Sequence, residues 1–343
     1  MKDNPKIVIF GSGVIGSTVG GWIAPHHDEL YFFDVPKVVE ALNKNGITLY
    51  EGGKEGERET VQVKTISDLS QAKDTDAVVV AVKNYSLDAV AKKIKDAIGD
   101  GPIIIAMQNG LLNQEILPKY FSKVIYCVVS YNAWANDPGV FGYQKRGPLE
   151  WGTLDNSLLD EQRTLAAVFD RGVPVVLTDR ISDAAHCKLV LNLSNSLTTL
   201  IGHTYKPVTD MKLFQKLLSN LLYEGVKIVK AAGVREVKLG GLPPWVLIRI
   251  GATLPYAVAA PMFKKNVKKM VISSMAQDII QRGAGASELD TINGYLLNLA
   301  NKHCAPAPYN QAIYDLCVRE FGKDKFEPMD LADVWAYVSK QLP

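Results

Sequence analysis

The sequence predicts an α/β protein: a doubly wound, mostly parallel sheet in the first half, then an all-helical second half. Three observations carry this. Short β-branched runs alternate with amphipathic segments from residue 6 to residue 177, the pattern of strand–helix–strand units. Two of those runs, 77–82 (AVVVAV) and 102–107 (PIIIAM), are almost wholly apolar, as strands covered on both faces are. After Asp179 the strand signal stops and helical spacing continues to the C-terminus.

The elements follow in order. Residues 6–10 (KIVIF) are the first strand, followed by a glycine turn and a helix to Ala24. Residues 30–33 (LYFF) are the second strand, and 38–45 are a helix stopped by Gly46. Residues 48–63 read as a hairpin turning at Gly52 and Gly53. Helical spacing over 87–98 separates the runs at 77–82 and 102–107. Strands continue at 124–131 and 140–151, and 173–177 (VPVVL) is the last. The boundary falls near 180–183, with Ser182 the candidate N-cap of a long helix. This gives a first domain over residues 1–180 and a second over 181–343. The apolar stretch at 245–260 is interrupted by Arg249 and Pro255, with Pro261 just beyond. It reads as a buried helix or hairpin and not as a membrane span, which needs about 18 consecutive apolar residues.

Composition narrows the function classes. With 38 basic and 36 acidic residues the net charge is +2, without the basic excess of a nucleic-acid binder. Four cysteines occur without a CxxC pair, so reduced thiols are expected and no metal site. The N-terminus runs directly into a strand, with no signal-peptide pattern. The expectation is a cytoplasmic protein with neither nucleic-acid nor membrane partners.

Gly11-Ser12-Gly13-Val14-Ile15-Gly16 lies between the first strand and the first helix. The first glycine permits a tight turn, the second lets backbone approach a pyrophosphate, and the third allows close helix–strand packing. The helix N-terminus then offers N–H groups and a positive dipole end to the phosphates. Asp34, 18 residues beyond Gly16, ends the second strand. A carboxylate there accepts hydrogen bonds from the ribose hydroxyls of NAD and repels the 2′-phosphate of NADP. A Rossmann-type dinucleotide-binding domain is therefore predicted, with NAD or NADP as cofactor and NAD favoured; Lys37 is the nearby cation that could hold a phosphate.

Two strand ends carry polar residues the sheet does not need: Lys83 after 77–82, and Asn109 after 102–107. Ligands of open α/β sheets bind at the carboxyl ends of strands, so both should face the cofactor. In the second half, Lys188, Asn192 and Ser196 are spaced i, i+4 and i+8, one stripe on a helix face. Leucines and valines surround them, and an ammonium in apolar company requires a partner. The segment from Ser273 and Ser274 to Ser287 and Glu288 offers hydroxyls and a carboxylate.

With these motifs in this order, the chain resembles the ketopantoate reductase (2-dehydropantoate 2-reductase) family over nearly its whole length. The residues that carry the resemblance are the glycine turn, Val82-Lys83, Gln108-Asn109-Gly110, Lys188 with Asn192, Ser273-Ser274-Met275 with Gln277-Asp278, Ser287-Glu288-Leu289-Asp290, Ile292-Asn293-Gly294 and Ala305-Pro306-Ala307-Pro308. The resemblance implies NAD(P)H-dependent reduction of a 2-oxo acid to a D-2-hydroxy acid, in the family's own case ketopantoate to pantoate in pantothenate biosynthesis. It further implies that Lys188 is the general acid, that Glu288 interacts with that lysine and the substrate, that Asn192, Ser196 and Ser274 bind substrate, and that Lys83 and Asn109 line the nicotinamide and substrate crevice. The chemistry agrees: hydride addition leaves negative charge on the carbonyl oxygen, which a positioned ammonium stabilises and protonates. The resemblance allows a homodimer.

The sequence departs from the family pattern at four places. Asp34-Val35 replaces a typical Gly-Arg, Ser196 stands where asparagine is common, Val271 replaces a polar residue, and residues 283–286 carry about two extra residues. The alternative within the superfamily is an NAD-dependent D-2-hydroxyacid dehydrogenase of the mandelate type. A non-catalytic dinucleotide sensor is the alternative from another class, and retention of both Lys188 and Glu288 argues against it.

Overall fold

The computed structural model describes residues 2, 4–240, 243–283 and 287–342. Residues 284–286, within the expected insertion, lie outside that range. The chain divides into two compact units, Met1–Ala185 and His186–Pro343.

In the first unit the chain runs β1 (Ile7–Phe10), α1 (Val14–Ile23), β2 (Leu30–Phe33), α2 (Pro36–Asn45), β3 (Ile47–Glu51), β4 (Glu59–Val61), β5 (Lys64–Thr65), β6 (Ala77–Val80) and α3 (Asn84–Ile98). It continues through β7 (Ile103–Ala106), α4 (Leu112–Ile116), β8 (Val124–Val129), β9 (Ala133–Asp137), β10 (Val140–Tyr143), β11 (Leu149–Gly152), α5 (Leu159–Phe169) and β12 (Val175–Leu177). The main sheet has the order β12-β11-β8-β7-β6-β1-β2-β5. All its neighbours are parallel except β8 and β11. Every residue of β1, β6 and β7 is buried, which is why these strands read as unbroken apolar runs.

The hairpin expected at 48–63 is the antiparallel pair β3 and β4, and it belongs to a second sheet of order β4-β3-β10-β9 whose other two strands the sequence pattern does not join to it. The run at 140–151, read as one strand, is two: β10 joins this small sheet and β11 the main one. Pro148, lacking a backbone N–H, sits between them. The small sheet covers the outer side of α1. Close approach is required on both sides of this helix, since a Cβ on Gly20 would strike Phe32 and Ile9, and one on Gly21 would lie 2.9 Å from Leu49. Trp22 on α1 meets the ring of Tyr143 edge-on with centroids 4.9 Å apart, and Thr18 shares a buried 2.7 Å hydrogen bond with Tyr131.

α6 (Ile181–Asn192) spans the division between the units, and among the described residues the second unit's named elements are all helices: α7 (Ser194–Leu200), α8 (Met211–Ala231), α9 (Trp245–Thr253), α10 (Tyr256–Val267), α11 (Ser274–Ala276), α12 (Tyr295–Lys302), α13 (Pro308–Phe321) and α14 (Leu331–Val338). Two π-helical turns, Gln277–Gln281 and Asp290–Gly294, flank the insertion.

Three expectations are corrected here. α6 starts at Ile181, so Ser182 is inside the first turn and not the N-cap; Arg180 donates its N–H to Thr178 Oγ1 at 3.1 Å and pairs with Asp183 at 2.7 Å. The long helix breaks at Leu193. There Ser194 donates back to Leu191 O at 2.7 Å and Ser196 to Leu193 O at 2.8 Å, hydroxyl contacts that compete with the helical ladder. The stretch at 245–260 forms two helices with a partly exposed face, Val246 and Val258 being 57% and 62% exposed.

The second unit is braced through a buried carboxylate. Glu224 on α8 accepts from the backbone N–H and Nδ2 of Asn310, both at 2.8 Å, and from the Tyr309 N–H at 3.3 Å. It thereby supplies the cap that Ala307 lacks at the start of α13. Burial raises its pKa above the usual carboxylate value, opposed by these donors. Glu224→Ala leaves them unsatisfied and is expected to cost on the order of 3 kcal/mol, measured by urea denaturation.

Candidate active site

In the first unit the candidate groups gather at the carboxyl edge of the main sheet. Gly11 has φ +101°, and a Cβ there would lie 3.0 Å from the Val82 side chain and 3.1 Å from backbone, so only glycine turns the chain here. A Cβ on Gly16 would collide with Gly11 O; this glycine holds helix against turn. Gly13 differs from both. It is exposed, it is the N-cap of α1, and a Cβ on it would meet nothing within 4 Å. No side chain caps α1, so the N–H groups of its first turn, at Val14, Ile15 and Gly16, have no acceptor within the helix. Beside them the Ser12 hydroxyl is buried without a hydrogen-bond partner. An open cradle of N–H donors, with a buried hydroxyl at its base, suits a pyrophosphate.

Asp34 reaches this turn directly. Its carboxylate accepts the Ser12 N–H at 2.6 Å and the Val35 N–H at 2.7 Å. The acid is therefore both a clamp on the glycine turn and a negative charge beside the cradle. Val35 and Lys37 are exposed.

Lys83 is the half-buried N-cap residue of α3. Its loop is stitched to that of Asn109 by neighbours the sequence did not single out for this purpose. Asn84 Nδ2 donates to Asn109 O at 2.7 Å, and Gln108 Nε2 donates to Val80 O at 2.6 Å. The Gly11 contact with Val82 adds the glycine turn to this group. Thus the turn, Asp34, Lys83 and Asn109 share one end of the sheet. Asn84 and Gln108 are residue types common in any loop, and only the pairing of β6 with β7 brings them together.

In the second unit, hydrogen bonds join the three segments that carry the predicted residues. His186 Nε2 meets Tyr295 Oη at 3.2 Å, Asn293 Nδ2 donates to Ser196 Oγ at 3.0 Å, and the hydroxyls of Thr199 and Ser273 are 3.3 Å apart. His186 and Ser196 bracket Lys188 and Asn192 along the chain, so the segment following Glu288 is anchored on both sides of them. Lys188 is half-buried between fully buried neighbours, with Leu189 and Val190 at 0% exposure. Asn192 and Glu288 are buried and Ser274 is half-buried at the start of α11. Lys188, Asn192 and Glu288 all have interaction partners. Ser196 is fully buried, and its hydroxyl is engaged by Leu193 O and Asn293; in this structure it braces the helix.

The turn carrying Asp290 has its own anchor. Tyr314 donates to Asp290 Oδ1 at 2.7 Å, a bond to a carboxylate that raises the tyrosine pKa to about 12. The Asp278 carboxylate, buried in the other π-helical turn, pairs with Arg282 at 2.9 Å. The Tyr314 anchor has no local sequence signal, whereas Asp278 and Arg282 stand at the i, i+4 spacing of a helical ion pair.

A sheet with a glycine cradle and a strand-end acid, on one chain with a helical unit bearing a lysine and a buried carboxylate, defines a nicotinamide-dependent oxidoreductase. The chain belongs to the ketopantoate reductase family: ketopantoate reductase PanE/ApbA matches residues 7–156, and its C-terminal region matches residues 180–319. It is an NAD(P)-dependent oxidoreductase of the 2-dehydropantoate 2-reductase type. It is 28% identical over 315 residues to the 2-dehydropantoate 2-reductase of Archaeoglobus fulgidus, covering 91% of this chain and 96% of that one. A crystal structure of a PanE/ApbA family ketopantoate reductase from Ralstonia eutropha superposes with TM-score 0.73 at 25% identity, over 93% of this chain and 99% of the other. D-mandelate dehydrogenase, solved with NADH and anilino(oxo)acetate, shares the fold with TM-score 0.74 at 19% identity, over 92% and 98% of the two chains. Among the described residues no helix is long and apolar enough to cross a membrane.

Proposed function

We propose that the protein reduces a 2-oxo acid to the D-2-hydroxy acid, with ketopantoate to pantoate as its reference reaction. The observation that carries this reading is the match to the ketopantoate reductase family in both halves of the chain. In this reading residues 1–180 bind the dinucleotide and 181–343 supply the substrate groups and any homodimer contact. A reduced nicotinamide supplies the hydride. The backbone of Gly11–Gly16 and the Ser12 hydroxyl hold the pyrophosphate, Asp34 faces the adenosine ribose, and Lys83 and Asn109 orient the nicotinamide end.

Lys188 delivers a proton to the substrate oxygen as charge develops there. Glu288 orients the lysine and the substrate, and Asn192 and Ser274 hydrogen-bond the acid. Ser196 contributes by fixing Asn293. Initial rates of NADH and NADPH oxidation with ketopantoate test the reading; no consumption of either cofactor would contradict it.

Asp34 favours the second reading, an NAD-dependent D-2-hydroxyacid dehydrogenase. Its carboxylate already lies on the glycine turn, and Val35 offers no guanidinium to a 2′-phosphate. NADH is expected to exceed NADPH in kcat/KM by about tenfold or more, a difference that needs only about 1.4 kcal/mol. Asp34→Gly combined with Val35→Arg is expected to reverse the preference. Equal kcat/KM values for the two cofactors in the unmodified protein would mean that Lys37 or another cation receives the phosphate.

A further inference from the structure

Residues 237–277 hold six basic residues and no acidic one, in a chain whose net charge is only +2. The six are Lys238, Arg249, Lys264, Lys265, Lys268 and Lys269, and all are exposed. The acids that bound this stretch are engaged elsewhere: Glu236 accepts the Trp245 N–H at 2.6 Å, and Asp278 pairs with Arg282 at 2.9 Å. α9 and α10 make up most of the stretch.

Each of these helices buries one face. Trp245 and Ile248 of α9 are buried, as are Ala259, Ala260 and Phe263 of α10. Phe263 meets Phe214 of α8 edge-on, with ring centroids 5.6 Å apart. The other faces turn to solvent. On α9 and its C-cap, Val246, Ile250 and Leu254 form one stripe at i, i+4 and i+8, with Val246 and Leu254 57% and 42% exposed. On α10 the outer stripe is Val258, Pro261, Lys265 and Lys268, spaced i, i+3, i+7 and i+10, and all four are exposed. An aliphatic surface therefore runs into a basic one along a single helix face.

A cation in the last turn complements the helix dipole. Four lysines there go further, since Lys264 with Lys268 and Lys265 with Lys269 are like charges at i, i+4, an arrangement that opposes the helix. Aliphatic side chains left in water likewise forgo the burial that drives folding.

We propose that the outer face of α9 and α10 seats the protein on the surface of an anionic bilayer. The aliphatic side chains enter the headgroup boundary and the lysines meet lipid phosphates, as in helices that lie in a membrane interface. Composition favours lipid over a protein partner. Protein interfaces are enriched in aromatic residues and arginine and depleted in lysine, whereas five of the six cations here are lysines and the exposed large apolar side chains, Val246, Leu254 and Val258, are aliphatic. Such a contact requires no spanning helix. It departs from the absence of membrane partners expected from the sequence.

Cosedimentation with vesicles tests the proposal, using phosphatidylglycerol mixed with phosphatidylcholine and phosphatidylcholine alone. The unmodified protein should bind the anionic vesicles and not the neutral ones. It should be released as ionic strength rises from about 0.1 M to about 1 M, which shortens the Debye length from about 10 Å to about 3 Å. A lysine near an anionic surface is worth about fivefold in partitioning, so Lys264→Gln, Lys265→Gln, Lys268→Gln and Lys269→Gln combined should weaken binding about 100-fold or more. Leu254→Ser with Val258→Ser should weaken it about tenfold or more. These side chains are exposed, so both variants should keep the Tm of the unmodified protein; if either fails to fold, the lipid and salt comparisons on the unmodified protein decide alone. No binding to anionic vesicles, equal binding to neutral ones, or undiminished binding by the folded lysine variant would overturn the proposal. So would self-association without vesicle binding that Leu254→Ser with Val258→Ser abolishes, which would assign the face to a second copy of this chain.

Discussion

Lys188→Ala is expected to lower kcat by about 10²–10⁴-fold, the span that a positioned proton donor contributes. The lysine lies on α6 immediately before Leu189 and Val190, which are fully buried, and a cation in such company requires a partner. Its removal takes away the charge that stabilises the forming alkoxide and the proton that quenches it. The dinucleotide cradle belongs to the other unit, so the NADH dissociation constant, read by fluorescence titration, should change little. Partial rescue by added small primary amines would separate a chemical role from a packing role. A variant with unchanged kcat removes Lys188 from the mechanism.

Gly13→Val is expected to abolish NADH binding while the protein still folds. The space beyond Gly13 is open, so the fold can accept the side chain. That same space adjoins the α1 N-terminus, where an anion would collect the N–H groups left without acceptors. The dissociation constant should rise about 100-fold or more, equivalent to some 2.7 kcal/mol, with little change in Tm. Gly16→Val makes the contrast, since its side chain would collide with Gly11 O and should disturb the turn itself. Undiminished NADH affinity in Gly13→Val would show that the turn does not hold the cofactor.

The two halves of the molecule were unequally legible in the sequence. β1, β6 and β7 could be read because a strand buried on both faces leaves a continuous apolar run, and their glycine turn has fixed spacing. Of the small sheet, only the β3–β4 hairpin could. β9 is AWAND, a short segment with two polar residues, and β10 pairs with β3 from about ninety positions away (Val140 with Thr48). Nothing near residue 140 announces that partner.

The same limit applies to the candidate site. Lys188 and Asn192 were legible from helical spacing, because a polar stripe in an apolar helix is unusual. The division at Leu193 was not, because Leu193 keeps helical angles and no glycine or proline stands there. Asn293, Tyr295 and Tyr314 were invisible as anchors, since each meets its partner only after helices distant in sequence have packed. Asp34 was predicted to face a ribose, and its clamp on Ser12 emerges only in the fold.

Transfer of the label from [4-²H]NADH and [4-²H]NADPH, deuterated at the transferable position, to a 2-oxo acid is the most direct measurement of the proposed chemistry. Incubation with ketopantoate and with 4-methyl-2-oxopentanoate should give 2-hydroxy acids carrying deuterium at C2, in one enantiomeric series, the D series. Consumption of the dinucleotide without deuterium at C2, or no hydroxy acid from either substrate with either cofactor, would contradict hydride transfer to a 2-oxo acid as the function of this protein.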